Sequence, residues 1–194
     1  MSLWGATDSD ESKPKNLTTA EKKEVFASAK GWVREAGSIL SGNDNTSATP
    51  EVLVALRGLA VKVGAADITE IEFVTTSFDK SAGGNIDVLV RFNEAVDITG
   101  TPRVSITNGN QGSGSGRGPH LANYLSGTGS NEITFRCTIA AANAATNADD
   151  VLSIGTNAMA LNGGTVKDAG TSTVSTITNA AGIGTAAGTI TVVA

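Results

Sequence analysis

Ile86-Asp-Val-Leu-Val-Arg-Phe-Asn-Glu-Ala-Val-Asp-Ile-Thr-Gly-Thr-Pro-Arg-Val-Ser-Ile-Thr107 is the stretch that decides the fold class. Ile86, Val88, Val90 and Phe92 alternate with Asp87, Leu89 and Arg91, the period-two pattern of a strand buried on one face. Asn93 and Glu94 predict a turn after it. Thr99-Gly-Thr-Pro102 turns the chain again, and Val104 and Ile106 resume the alternation. Short strands separated by turns make a sheet protein.

The same pattern extends in both directions. Upstream, Ile71, Phe73 and Thr75 point one way and Glu70, Glu72 and Val74 the other, with Ser81-Ala-Gly-Gly-Asn85 turning into the quoted strand. Downstream, a glycine-rich loop, Asn108 to Pro119, precedes a strand at 121–125. A tight turn, Ser126-Gly-Thr-Gly129, leads to a strand at 132–139. Further strands are expected at 151–154 and 189–193. Spacings of roughly ten to fifteen residues fit a seven-strand sandwich. Cys137, the single cysteine, is in phase with Ile133, Phe135 and Ile139, which predicts a buried core position and rules out an intrachain disulfide.

Residues 1–66 read differently. Twelve of the 33 charged residues fall in the first 35, and Leu17 is the only large apolar side chain between Asp8 and Glu24. Such a segment buries too little surface to offset its ordering entropy, so an extended arm with little core of its own is expected. Thr18-Thr-Ala-Glu21 fits a capping box and predicts a short helix from Thr19 to about Ala27. Trp4, Phe26 and Trp32 then read as exposed anchors for a partner. Residues 42–50 form a polar linker. Residues 51–63, apolar and containing Leu53 and Leu56, tilt toward strand and suit addition to another protein's sheet.

Charge separates the two parts. Residues 1–66 carry 8 acidic and 8 basic side chains, whereas 67–194 carry 11 and 6, the whole formal charge of −5. An acidic sandwich repels phosphate backbones, which argues against nucleic acid as a partner. No run approaches eighteen apolar residues, and Met1 to Asp10 lack the pattern of a signal peptide, so neither membrane nor secretion is indicated.

Candidate chemistry is thin. The glycine loop lacks the Lys-Ser/Thr of a Walker loop, having Arg117-Gly118 after Gly116, and lies between strands, so it reads as a surface loop. His120 is the only histidine; no serine sits in a nucleophile elbow to complete a relay with it. Asp149, Asp150, Glu94 and Asp168 stand near strand ends, where calcium binding is weighed against simple turn capping, and capping is favoured. No cofactor and no enzymatic activity are expected.

Five motifs in order, Phe92-Asn-Glu-Ala-Val96, Thr99-Gly-Thr-Pro102, Tyr124-Leu-Ser-Gly-Thr-Gly129, Ile133-Thr-Phe135 and Ala158-Met-Ala-Leu-Asn-Gly-Gly-Thr-Val-Lys-Asp168, resemble a bacterial immunoglobulin-like repeat over residues 67–194. The resemblance implies an all-β, immunoglobulin-like β-sandwich behind the N-terminal arm. Residues 170–187 exceed the usual ending of that family. Separately, Met1-Ser-Leu-Trp-Gly5, Asp8-Ser-Asp-Glu-Ser-Lys-Pro-Lys15 and Leu17-Thr18 resemble the opening of virion structural proteins of contractile-tailed phages of marine cyanobacteria. That resemblance implies a particle component made in the host cytoplasm. The expectation is a capsid decoration protein on the virion surface, docked on the major capsid protein through Trp4, Phe26, Trp32, Leu53 and Leu56 and self-associating there. The alternatives are a neck, tail or fibre component, or a carbohydrate-binding adhesin.

Overall fold

The computed structural model describes residues 13–14, 16–38, 40, 42, 44–62, 64–109 and 118–194. Trp4 and most of the glycine loop lie outside them. The long strand β6 (Gly84–Thr99) organises everything else. Ile86, Val88, Val90 and Phe92 are buried and the residues between them are half-exposed, as the alternation requires.

The turn expected at Asn93–Glu94 is not formed; the strand runs through it with a bulge. Register against β9 (Ser130–Ile139) jumps between Arg91, opposite Glu132, and Val96, opposite Ser130. The extra residues let Asn93 face inward, where its Oδ1 accepts from the Asp67 amide at 2.8 Å and its own amide donates to the Asp67 carbonyl at 3.0 Å. Those two bonds replace ladder bonds, which is why two polar residues in a row do not end the strand. The bulge also changes β6's partners. Its first half pairs with β4 (Ile68–Phe73) and β9; its second half pairs with β11 (Thr165–Asp168).

From β9 the sheet continues through β8 (His120–Ser126), β7 (Arg103–Gly109), β10 (Val151–Ala160) and β12 (Thr189–Val193) to the short β5 (Phe78–Asp79). It folds over into a sandwich, and both halves line one core. Ile71, Val90, Phe92, Ile133 and Phe135 meet Val104, Ile106, Leu152, Ile190 and Val192 there. Cys137 is buried as its phase predicts, and burial raises its thiol pKa. The all-β sandwich is the fold.

The motifs read from the sequence turn out to clamp one another. The Tyr124 hydroxyl accepts from the Thr128 amide, and Thr128 Oγ1 accepts from the Ile98 amide at 2.9 Å, tying the Ser126–Gly129 turn to β6. Asn162 donates to the Thr101 carbonyl, bringing the two glycine turns together. A Cβ on Gly164 would lie 2.4 Å from the Thr99 carbonyl oxygen, so only glycine permits that approach. Part of the long ending forms helix α3 (Ala181–Ala186), whose Ile183 packs on the core.

The N-terminal segment is more structured than its composition predicts. Helix α1 (Thr19–Lys23) starts with the expected capping box but ends early, because β1 (Val25–Ser28) begins where the helix was expected to continue. β1 forms a hairpin with β2 (Gly31–Arg34), and β3 (Glu51–Ala55) adds to it. Residues 51–63 resolve into that strand and a turn of helix, α2 (Leu59–Lys62). β1 also pairs in parallel with β6 at Ala27 and Glu94, so the sheet of this unit is continuous with the sandwich.

Candidate docking site

The hairpin has two faces, and both are covered. Val25, Ala27, Trp32 and Leu59 make a small core separate from that of the sandwich, with Leu17, Leu53, Val54 and Leu56 packed on it. Trp32 is 1% exposed and its buried indole N–H has no acceptor among the described residues; Phe26, on the opposite face with Val33, is 8% exposed. The expected exposure of Phe26 and Trp32 is therefore corrected. Composition averaged over 35 residues hid two short apolar runs, 25–27 and 31–33, which pair with each other and gain a third strand from beyond the linker. Trp4 lies outside the described residues. Leu53 and Leu56 are half-buried on the small core.

Gly31 makes this packing possible. Its φ is +132°, and a Cβ there would fall 2.0 Å from the Val54 carbonyl oxygen. β3 can thus close against the hairpin. Its far edge has no strand beside it among the described residues, and Val52 stands 42% exposed on it. A row of outward backbone groups with an apolar neighbour is a template for another strand.

On the sandwich, beside its junction with this unit, lies an ionic cluster that Lys23 of α1 joins across the junction. The Arg91 guanidinium on β6 donates from Nε to Glu132 Oε1 at 2.6 Å and from Nη1 to Glu70 and Glu72, each at 2.9 Å. Burial opposes its charge, but the three carboxylates more than reverse that and raise its pKa. Lys23 of α1 pairs with Glu70 as well. On the hairpin's other face, Arg34 reaches Glu21 at 3.4 Å and Glu51 at 3.8 Å. A cleft of about 310 Å³ opens between α1, β4 and α3, lined by Lys22, Lys23, Thr69, Ile183 and Ala186 among others. The outward phase of Arg91, Glu70, Glu72 and Glu132 was legible as polar positions on neighbouring strands. That a second unit covers them was not.

The residues weighed for chemistry are engaged structurally. His120 and Thr146 are buried together, Nε2 to Oγ1 at 3.0 Å; burial lowers the histidine pKa against the pull of nearby Asp150. Asp150 accepts from the Asn147 amide at 2.8 Å, a turn cap. Asp168 accepts from the Ala66 amide at 2.9 Å and from Ser175 Oγ at 3.0 Å, which fastens the start of the sandwich to its late loop. Among the described residues no group of three or more His, Cys, Asp or Glu side chains is placed to hold a metal ion, and no helix is long and apolar enough to cross a membrane. Comparison with family models, curated proteins and solved structures finds no match.

Proposed function

We propose that this chain is a structural component of a phage particle, a capsid decoration protein held on the shell by its N-terminal unit while the acidic sandwich, of the bacterial immunoglobulin-like kind, projects outward. The observation that carries this reading is the opening run, Met1-Ser-Leu-Trp-Gly5 with Asp8 to Thr18, which resembles the start of virion proteins of contractile-tailed cyanobacterial phages. The edge of β3, unpaired among the described residues, supports it, because strand addition gives attachment through backbone bonds that repetition over a lattice strengthens. In this reading the partner is the major capsid protein, copies contact one another on the particle surface, and the chain is not an enzyme. Because Phe26 and Trp32 are buried, the reading assigns attachment to the β3 edge, with Leu53 and Leu56 holding that strand in place, and to the residues before 13.

Electron cryomicroscopy of intact virions, with difference density against particles lacking the protein, tests the reading. Density at every capsomer is the expected result. Density confined to a single vertex, the tail or its fibres would replace decoration with the neck, tail or fibre alternative, and absence from the virion would end both.

A further inference from the structure

Glu35 follows β2 directly and extends the hairpin by one pair, its amide donating to the Glu24 carbonyl at 2.9 Å. On the hairpin's sandwich-facing side it meets a cluster of charged side chains. Among the described residues its buried Oε2 and the buried Nδ2 of Asn131 have no partner at full hydrogen-bond geometry, although Asn131 lies close enough to favour the charged carboxylate. The cation nearest to it, Arg91 of β6, is already shared by Glu132 of β9 and Glu70 and Glu72 of β4. Glu24, from the hairpin side, adds a further negative charge and is engaged by Ser38. Lys23 of α1, a further cation at this junction, is paired with Glu70. An ionised Glu35 is thus a half-buried carboxylate near two others, and the Arg91 charge that favours it is already shared with three carboxylates. A buried charge in that position is relieved by binding a proton or by moving back to water.

We propose that Glu35 is a proton-operated latch between the N-terminal unit and the sandwich: protonated, it seats the hairpin on β6 and β9; ionised, it loosens that seat. Burial foremost, then Glu132, and more weakly Glu24, raise its pKa to about 7 against the opposing pull of Arg91 and Asn131. The folded form therefore binds the proton more tightly than the opened form does. The seat is tightest below the ordinary carboxyl value of 4.5 and is lost as pH rises through about 7. The latch operates whatever surface the protein is attached to, since it rests on the junction alone.

Hydrogen–deuterium exchange on the full chain at pH 6 and pH 8, corrected for intrinsic rates, reads the seat. Protection over residues 24–38 should fall up to about tenfold between the two, the ratio a carboxyl with these two values gives, while β9 and β10 stay unchanged. Glu35→Gln, which is neutral at both values, should hold its protection constant. A side-chain carbon titration of Glu35 by NMR should show its midpoint near 7 in the wild type. Equal protection at pH 6 and pH 8 in the wild type, an unaltered pH dependence in Glu35→Gln, or a midpoint near 4.5 would each overturn the latch.

Discussion

Trp32 changes meaning between sequence and structure. In the sequence it is an aromatic among charges; in the fold it fills the small core between β1, β3 and α2. Trp32→Ala should therefore cost about 3–5 kcal/mol, the usual penalty for emptying a buried aromatic site. Because that core is separate from the sandwich's, the loss should appear as fast amide exchange over residues 25–34 with β9 and β12 still protected. Unchanged exchange over 25–34 would return Trp32 to the surface role first read for it. His120 makes the second prediction at this scale. Burial depresses its pKa below 6.5, so the unfolded chain binds the proton more readily. Its contribution is present above pH 6.5 and is lost as pH falls through the depressed folded value. In a Glu35→Gln background, which removes the opposing carboxyl, urea midpoints should fall between pH 7.5 and 5.5, and should fall less when His120→Gln is added. Glu35 has the opposite sign, so acid tightens the junction while it weakens the far end of the sandwich.

At the scale of elements, β6 shows what alternation can and cannot reveal. Ile86 to Phe92 were legible because a strand buried on one face must alternate, and the clusters around Gly100, Gly127 and Gly163 were legible because turns need those residues. The run through Asn93 and Glu94 was not, since a polar pair reads as a turn unless its partner, Asp67, is known to lie across from it. Removing that partner's bond tests the account. Asn93→Ala leaves the Asp67 amide without its side-chain acceptor in a partly buried site and should cost about 1–3 kcal/mol. Thermal unfolding reads it; a melting point within a degree of wild type would show that the bulge stands without the clamp. The β1–β2 hairpin was hidden for a related reason. Its strands are four residues each, too short for periodicity to separate them from the surrounding charges. Their stability comes from β3 and β6, both distant in sequence.

For the whole molecule, the continuity of the sheet decides how attachment must be tested. Removing residues 1–35 would strip β1 from β6 and β2 from β3, so any loss of particle association would be confounded with damage to the fold. The outer edge of β3 offers a cleaner test. Val52 is exposed there, and surface substitutions of that kind shift stability by no more than about 0.5 kcal/mol. A lysine on an edge strand, however, opposes the approach of a second strand by bringing a charge into the new pairing. Val52→Lys should keep the wild-type melting point and circular dichroism yet bind particles lacking the protein at least tenfold more weakly, measured by co-sedimentation. The conservative Val52→Ile should bind as wild type does. Binding by Val52→Lys equal to wild type would exclude the β3 edge and leave the segment before residue 13 as the attachment point, which a truncation of residues 1–12, checked for an unchanged melting point, would then test.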